Sequence, residues 1–181
     1  MDRIQIELLL RKAQGGDQDA LDTLIKTYYP QILHYCRWHT LDEQQAQDAA
    51  QETFLKAVRW LDACGGFQGA FRPFLYKIAK NVCIDLSRAS ERTELSLEGL
   101  PEEPAYQESG FTVAEDGANL RALAAQLEPE QRELVLLRFA QQLRLREIAQ
   151  VTGLPLRTVQ SRLRAALKIL KMRLELEKED W

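Results

Sequence analysis

The chain has 181 residues, 24 of them Lys or Arg and 27 Asp or Glu, for a net charge of −3. That length suits one domain or two small ones, and an apolar content of 45% is enough to bury a core. No apolar run approaches the roughly 20 residues needed to cross a bilayer, and Ile4–Leu10 is interrupted by Glu7 and too short for a signal peptide, so the expectation is a cytoplasmic protein.

Cys36, Cys64 and Cys83 are odd in number and lack CxxC spacing, which argues against a disulfide framework. His34 and Cys36, two apart on a helix, point to different faces and do not suggest zinc; no metal or cofactor is expected. The acidity is concentrated. Residues 1–90 are balanced, residues 91–117 carry eight acids and one base, and residues 118–181 have a net charge of +4. The acidic stretch marks a boundary.

In chain order, Ile4 to Gln14 reads as a first helix stopped by Gly15-Gly16. Asp17 is placed to cap a second helix carrying Ala20, Leu21, Leu24 and Tyr28, which Pro30 ends or kinks. Ile32 to Trp38 continues as another short helix, whose Tyr35 and Trp38 suit a core. Asp42 caps the next, which runs to about Leu61 with an inner stripe of Ala46, Ala49, Ala50, Thr53, Phe54, Ala57, Val58 and Leu61. Its other side holds Asp48, Gln51, Glu52, Leu55 and Arg59. A leucine ringed by polar groups suits either a small protein-docking patch or an ordinary solvated face with one stray apolar residue.

Asp62 to Ala70 is a loop with three glycines, bordered by Phe67 and Phe71. Pro73 opens a helix to about Arg88, with Leu75, Ile78, Ala79, Val82 and Leu86 as its core stripe. A second stripe carries Lys77, Asn81, Ile84, Asp85 and Arg88. Basic residues beside a loop with aromatic rings suit single-stranded nucleic acid, where bases stack and cations follow phosphates. The same pattern fits aromatics in the core and cations in water. Residues 92–117, with Gly99, Pro101, Pro104 and Gly110, read as a linker. Ala118 to Leu127 resumes an amphipathic helix, and Pro129 opens another with Leu134, Leu137 and either Phe139 or Ala140 facing a core.

The strongest motif follows. A short helix from Leu145 to Thr152, with Leu145, Ile148 and Ala149 on one side, ends at Gly153, and Pro155 presets a second helix. This is the helix-turn-helix pattern. The second helix has Leu156, Val159, Leu163, Ala166, Leu167 and Leu170 on one stripe and Arg157, Gln160, Ser161, Arg164, Lys168 and Lys171 roughly opposite. From Leu154 to Arg173 there are six bases and no acid. Like charges at that density call for a polyanion, which makes this a recognition helix for duplex DNA. Glu175 to Trp181 reads as a fraying polar tail.

Two blocks together resemble a known family. AQDAAQETF (Ala46–Phe54) and FRPFLYKIAKNVCIDLSR (Phe71–Arg88) resemble the polymerase-docking and promoter-melting motifs of the extracytoplasmic-function sigma factors of bacterial RNA polymerase. LEPEQRELVLLRF (Leu127–Phe139) and the helix-turn-helix after it are similar to the same family's region 4. The resemblance implies an all-α fold: two small helical domains joined by an acidic flexible linker, with the helix-turn-helix in the second. Residues 1–90 would be region 2, 91–117 the linker and 118–181 region 4. Asp48, Gln51, Glu52 and Leu55 would dock on the coiled coil of the largest polymerase subunit, and region 4 on the flap. Phe67, Phe71, Lys77, Lys80, Asn81, Asp85 and Arg88 would handle the melted minus-ten element, with the loop Cys64–Ala70 capturing a flipped base. Gln160, Ser161 and Arg164 would reach bases of the minus-thirty-five element and Thr158, Arg162 and Lys168 would hold its phosphates, with Arg157 also in this DNA-binding set. Phe74 stands where the family usually has Trp.

An anti-sigma protein is implied as a further partner by the family alone. No small-molecule substrate and no membrane insertion are implied. Motifs for metal, phosphate or nucleophile chemistry are missing from the sequence, so no enzyme is expected. The rival reading is a simple helix-turn-helix regulator of duplex DNA, which leaves the first half unexplained.

Overall fold

A computed structural model describes residues 3–64, 67, 69–96 and 122–179. All regular structure among them is helical. The chain divides into two compact units, Met1–Ser109 and Gly110–Trp181. No helix among the described residues is long and apolar enough to cross a membrane.

The first unit is built from α1 (Arg3–Gln14), α2 (Gln18–His39), α3 (Glu43–Ala63) and α4 (Phe71–Ser96). Gly16, at φ +88°, makes the turn out of α1. Asp17 and Asp42 cap α2 and α3, their carboxylates accepting the N–H groups of Ala20 (3.0 Å) and Gln45 (2.8 Å). Arg37 binds Glu43 through three hydrogen bonds (Nε to Oε2 2.9 Å and to Oε1 3.3 Å, Nη2 to Oε1 2.6 Å), fixing the end of α2 against the start of α3.

The core of this unit follows the period of the helices. Leu24, Tyr28, Ile32, Tyr35 and Cys36 of α2 meet Ala46, Ala49, Ala50, Thr53, Phe54, Ala57 and Leu61 of α3, all buried. Four alanines on one face let neighbouring helices approach closely. The buried Thr53 hydroxyl donates to the Ala49 carbonyl (2.7 Å) and so leaves no polar atom orphaned. From α4 come Leu75, Tyr76, Ala79, Val82 and Cys83. The expected stripe is therefore rotated slightly, since Leu86 is exposed while Tyr76 and Cys83 are buried. Tyr35 and Tyr76 meet edge to face at 5.4 Å.

Three expectations are corrected in this unit. Pro30 lies inside a continuous α2 and does not end it. Its missing N–H costs one helical bond, but the buried face continues past it from Tyr28 to Ile32 and Cys36. The helix α4 starts at Phe71, two residues before Pro73, because a first-turn residue needs no amide partner. It also continues past Arg88 to Ser96, into the stretch expected to be linker. Residues 89–96 contain neither Gly nor Pro, so nothing in them stops the helix. Residues 97–121, the rest of that linker, lie outside the described residues.

The second unit starts with a helical turn at 122–125, then α5 (Pro129–Val135), a π-helical turn (Leu136–Ala140), α6 (Leu145–Thr152) and α7 (Leu156–Glu179). Residues 118–121 of the expected first helix lie outside the described residues. The Arg132 guanidinium closes the opening turn by donating to the carbonyls of Ala124 (3.1 Å), Ala125 (2.9 Å) and Leu127 (3.2 Å). Leu134, Val135, Leu136, Leu137, Leu143, Ile148, Val151, Val159, Leu163, Ala166 and Leu170 form the core. In the π turn the Gln141 N–H reaches the Leu136 carbonyl (3.0 Å), adding a residue to the turn. Phe139 is thereby turned outward, 46% exposed, and Ala140 faces partly inward. The expected tail is also corrected: α7 runs to Glu179, with Lys171 and Glu175 paired at 3.7 Å one turn apart.

Candidate nucleic-acid interface

The helix-turn-helix is assembled by local bonds. Glu147 accepts the N–H of Arg144 (2.7 Å) and so closes the first turn of α6. Gly153, at φ +73°, ends α6, its N–H returning to the Ala149 carbonyl (2.9 Å). The Thr152 hydroxyl donates to the Ile148 carbonyl (2.8 Å) and accepts the N–H of Leu154 (3.3 Å). The Pro155 carbonyl then accepts the Val159 N–H (3.0 Å), so Pro155 stands just before α7.

On α7 the buried stripe is Val159, Leu163, Ala166 and Leu170, while Leu167 is exposed. Arg157, Ser161, Arg164, Lys168 and Lys171 are exposed on the opposite side, within about 80° of arc at 100° per residue. Thr158 and Gln160 are half-buried on its borders. Arg162 is placed differently: it lies on the flank of α7 and forms an ion pair with Glu130 at the start of α5. Arg173, further along the same flank, donates to the Gln126 side chain (2.9 Å). Two of the six bases thus tie α7 to its own unit. Arg144 and Arg146, which periodicity on α7 alone does not reveal, add exposed cations at the start of α6.

In the first unit, α3 presents Asp48, Gln51 and Arg59 to solvent around Leu55, which is 52% exposed. Glu52 is half-buried and pairs with Lys56 (3.7 Å), and Asp48 accepts from Gln44 (3.0 Å). On α4, Lys77, Asn81, Asp85 and Arg88 are exposed along one stripe, and Lys80 is half-buried beside it.

The aromatic residues expected beside this stripe are not equivalent. Phe71 is only 5% exposed and packs edge-on against Tyr28 (5.4 Å), so its ring serves the core. Phe67 is half-buried and touches Phe71 (5.8 Å) and Phe74 (5.2 Å). Trp60, from the last turns of α3, completes the cluster against Phe74 (4.7 Å) and Phe67 (5.7 Å) and is 40% exposed. Trp60 was not among the expected site residues, because on α3 it falls at the margin of the inner arc, between Ala49 and Thr53, where a core role is the ordinary reading. An aromatic residue closing a helix just before a glycine-containing loop was the available signal.

The thiols are all free. Cys36 on α2 contacts Cys83 on α4, and this hydrogen bond together with burial pushes the Cys36 thiol far above its usual range. It stays protonated and unreactive. At the α2–α3 junction, the bond from Arg37 holds the Glu43 carboxyl below the usual carboxylate range.

Residues 24–93 match the sigma-70 region 2 family and residues 118–170 match sigma-70 region 4. The RNA polymerase sigma-H factor of Pseudomonas aeruginosa is 31% identical over 173 residues, covering 88% of each chain. The ECF RNA polymerase sigma factor ShbA of Streptomyces griseus is 30% identical, covering 82% of this chain and 84% of that protein. In fold, the chain is similar to CnrH, solved in complex with the cytosolic domain of CnrY. There the TM-score is 0.70 at 24% identity, with 95% of this chain and 98% of that chain covered. The chain belongs to the extracytoplasmic-function group of sigma-70 RNA polymerase sigma factors.

Proposed function

We propose that this sigma factor divides initiation between its two units, with residues 1–90 docking polymerase and holding melted DNA and residues 118–181 reading duplex DNA. The observation that carries the division is the separation of surfaces. A polar face of both charge signs around an exposed Leu55 stands on α3, a mixed polar stripe on α4, and an almost wholly basic stripe on α7.

Asp48, Gln51, Glu52 and Leu55 form the polymerase-docking face: an apolar contact for burial, ringed by groups that set orientation. Lys77, Lys80 and Arg88 follow phosphates of the minus-ten strand. Asn81 offers both donor and acceptor to a base edge, and Asp85 accepts from a base amino group. Phe67 borders the loop that takes a flipped base, and Phe71 supports it from the core. On α7, Gln160, Ser161 and Arg164 reach the minus-thirty-five bases, while Arg157, Thr158 and Lys168 position the helix on phosphates. Opening the duplex costs a few kcal/mol per unstacked step. Stacking of each captured base returns about 1–3 kcal/mol, so a few captured bases offset a comparable number of broken steps.

Core polymerase, through its largest-subunit coiled coil and its flap, and promoter DNA are the partners. An anti-sigma protein, implied by membership of the family, is a third. The acidic segment following α4 is suited to positively charged channels of the polymerase, where carboxylates stand in for phosphate charge. No residue is given a catalytic role, and the protein works in the cytoplasm with the polymerase.

The test is a pull-down of core polymerase by the full chain. Replacing Asp48, Gln51 and Glu52 together with Ala should abolish capture and leave the far-ultraviolet circular dichroism unchanged. Capture at the wild-type level would remove α3 from the docking role.

A further inference from the structure

We propose that the indole of Trp60 is a stacking platform for an unstacked base of the melted strand, at the N-terminal end of the polar stripe on α4. This rests on the assignment of that stripe to the minus-ten strand.

Four aromatic rings, Trp60, Phe67, Phe71 and Phe74, form one cluster beside that stripe. Phe71 is buried against Tyr28 and offers no face. Phe74 is half-buried, held between Trp60 (4.7 Å) and Phe71 (6.1 Å). Trp60, at 40% exposure, has the most open ring of the four. Its contact with Phe74 is tilted by 49°, and Phe67 meets it edge-on at 80°. Two neighbours therefore fix the indole while leaving much of it in water. Packing alone does not call for this, since a leucine would cover Phe74 with less apolar surface exposed.

Phe74, Lys77, Asn81, Asp85 and Arg88 fall within about 80° of arc on α4. The cluster therefore continues the polar stripe at its N-terminal end. From Asn81 to Phe74 is about 10 Å along the axis. A strand whose phosphates track Arg88 and Lys77 delivers its next base to Phe74, where Trp60 stands. Fixed rings beside a cationic track are the recurring means of holding single strands, and they accept any base, because every base has a π face. On α3, Trp60 is rotated roughly 120° from Asp48, so it does not belong to the docking face.

The experiment uses the full chain bound to core polymerase. Its DNA is a fork junction, duplex upstream and single-stranded over the minus-ten non-template segment, compared with the same DNA fully duplex. Trp60→Ala should weaken fork binding about tenfold, Trp60→Phe by less than about threefold, and both should leave duplex binding and core affinity unchanged. Trp60→Leu keeps an apolar contact with Phe74 but has no π face, and should lose as much as Trp60→Ala. It also decides the matter if the alanine variant does not fold. Single-stranded DNA should quench tryptophan emission in the wild type and much less in Trp60→Phe. Wild-type fork binding by Trp60→Leu, or a quench that survives in Trp60→Phe, would overturn the proposal. A loss of core affinity instead would make Trp60 a protein contact and overturn it too. If the wild-type complex shows no preference for the fork, the assignment of the α4 stripe fails, and the role of Trp60 with it.

Discussion

Gly153 occupies a backbone conformation, φ +73°, that side chains disfavour, and no atom lies within 4 Å of where its Cβ would stand. Gly153→Ala should therefore meet no clash and cost only the backbone penalty, about 1–2 kcal/mol, read as a lower denaturant midpoint at constant slope. Unchanged stability would show that the turn relaxes to negative φ. This glycine was legible in the sequence because a helix stop and a helix start bracket it. Arg162 was not legible. Charge alone groups it with Arg164, although the two lie about 160° apart on α7, and its partner Glu130 is 32 residues away, beyond any helical period. The two arginines should behave differently in binding to minus-thirty-five duplex. Arg164→Ala should cost about 1–3 kcal/mol and relax base preference if it makes a bidentate contact. Arg162→Gln should leave the salt dependence of binding unchanged, whereas Lys168→Gln should lower its log–log slope by about 1. A fall in slope for Arg162→Gln would put that guanidinium on phosphate after all.

At the scale of elements, capping and apolar period carried most of the fold. Asp17 and Asp42 stand at the starts assigned to them, and the alanine-rich face of α3 is the face that is buried. What local signals missed depends on packing. Pro30 reads as a helix break, yet tertiary burial on both sides keeps α2 continuous. Because Pro30 is exposed, Pro30→Ala restores a backbone donor without disturbing the core, and should raise stability by roughly 1 kcal/mol or more. A loss of stability would mean that the proline's restriction of the unfolded chain dominates. The π turn in region 4 left no periodic trace that distinguished Phe139 from Ala140. The junction of α2 and α3 adds a pH dependence. The carboxyl of Glu43 titrates below its unfolded range, so its contribution is complete above that range and disappears as acid protonates the folded state. Because both partners are more than a third exposed, Glu43→Gln should cost less than about 1 kcal/mol at neutral pH. The difference from wild type should vanish below the carboxylate range. A difference that persists in acid would assign the effect to packing.

Across the whole molecule, the net charge of −3 conceals the arrangement that matters: a balanced first part, an acidic middle and a basic end. That division, and the helix-turn-helix, could be read from the chain directly. The aromatic cluster at Trp60 and the Cys36–Cys83 contact could not, because each joins segments whose proximity only the fold creates. The chain matches sigma-70 region 2 over residues 24–93 and region 4 over residues 118–170, and the proposed division of docking and duplex reading between the two units requires both in one protein. The most direct measurement is run-off transcription by purified core polymerase on a genomic promoter pool, with and without the full chain. The account predicts discrete start sites that appear only with the protein and share two upstream elements. Failure to produce any protein-dependent transcript, with duplex binding intact in a gel-shift assay, would contradict it.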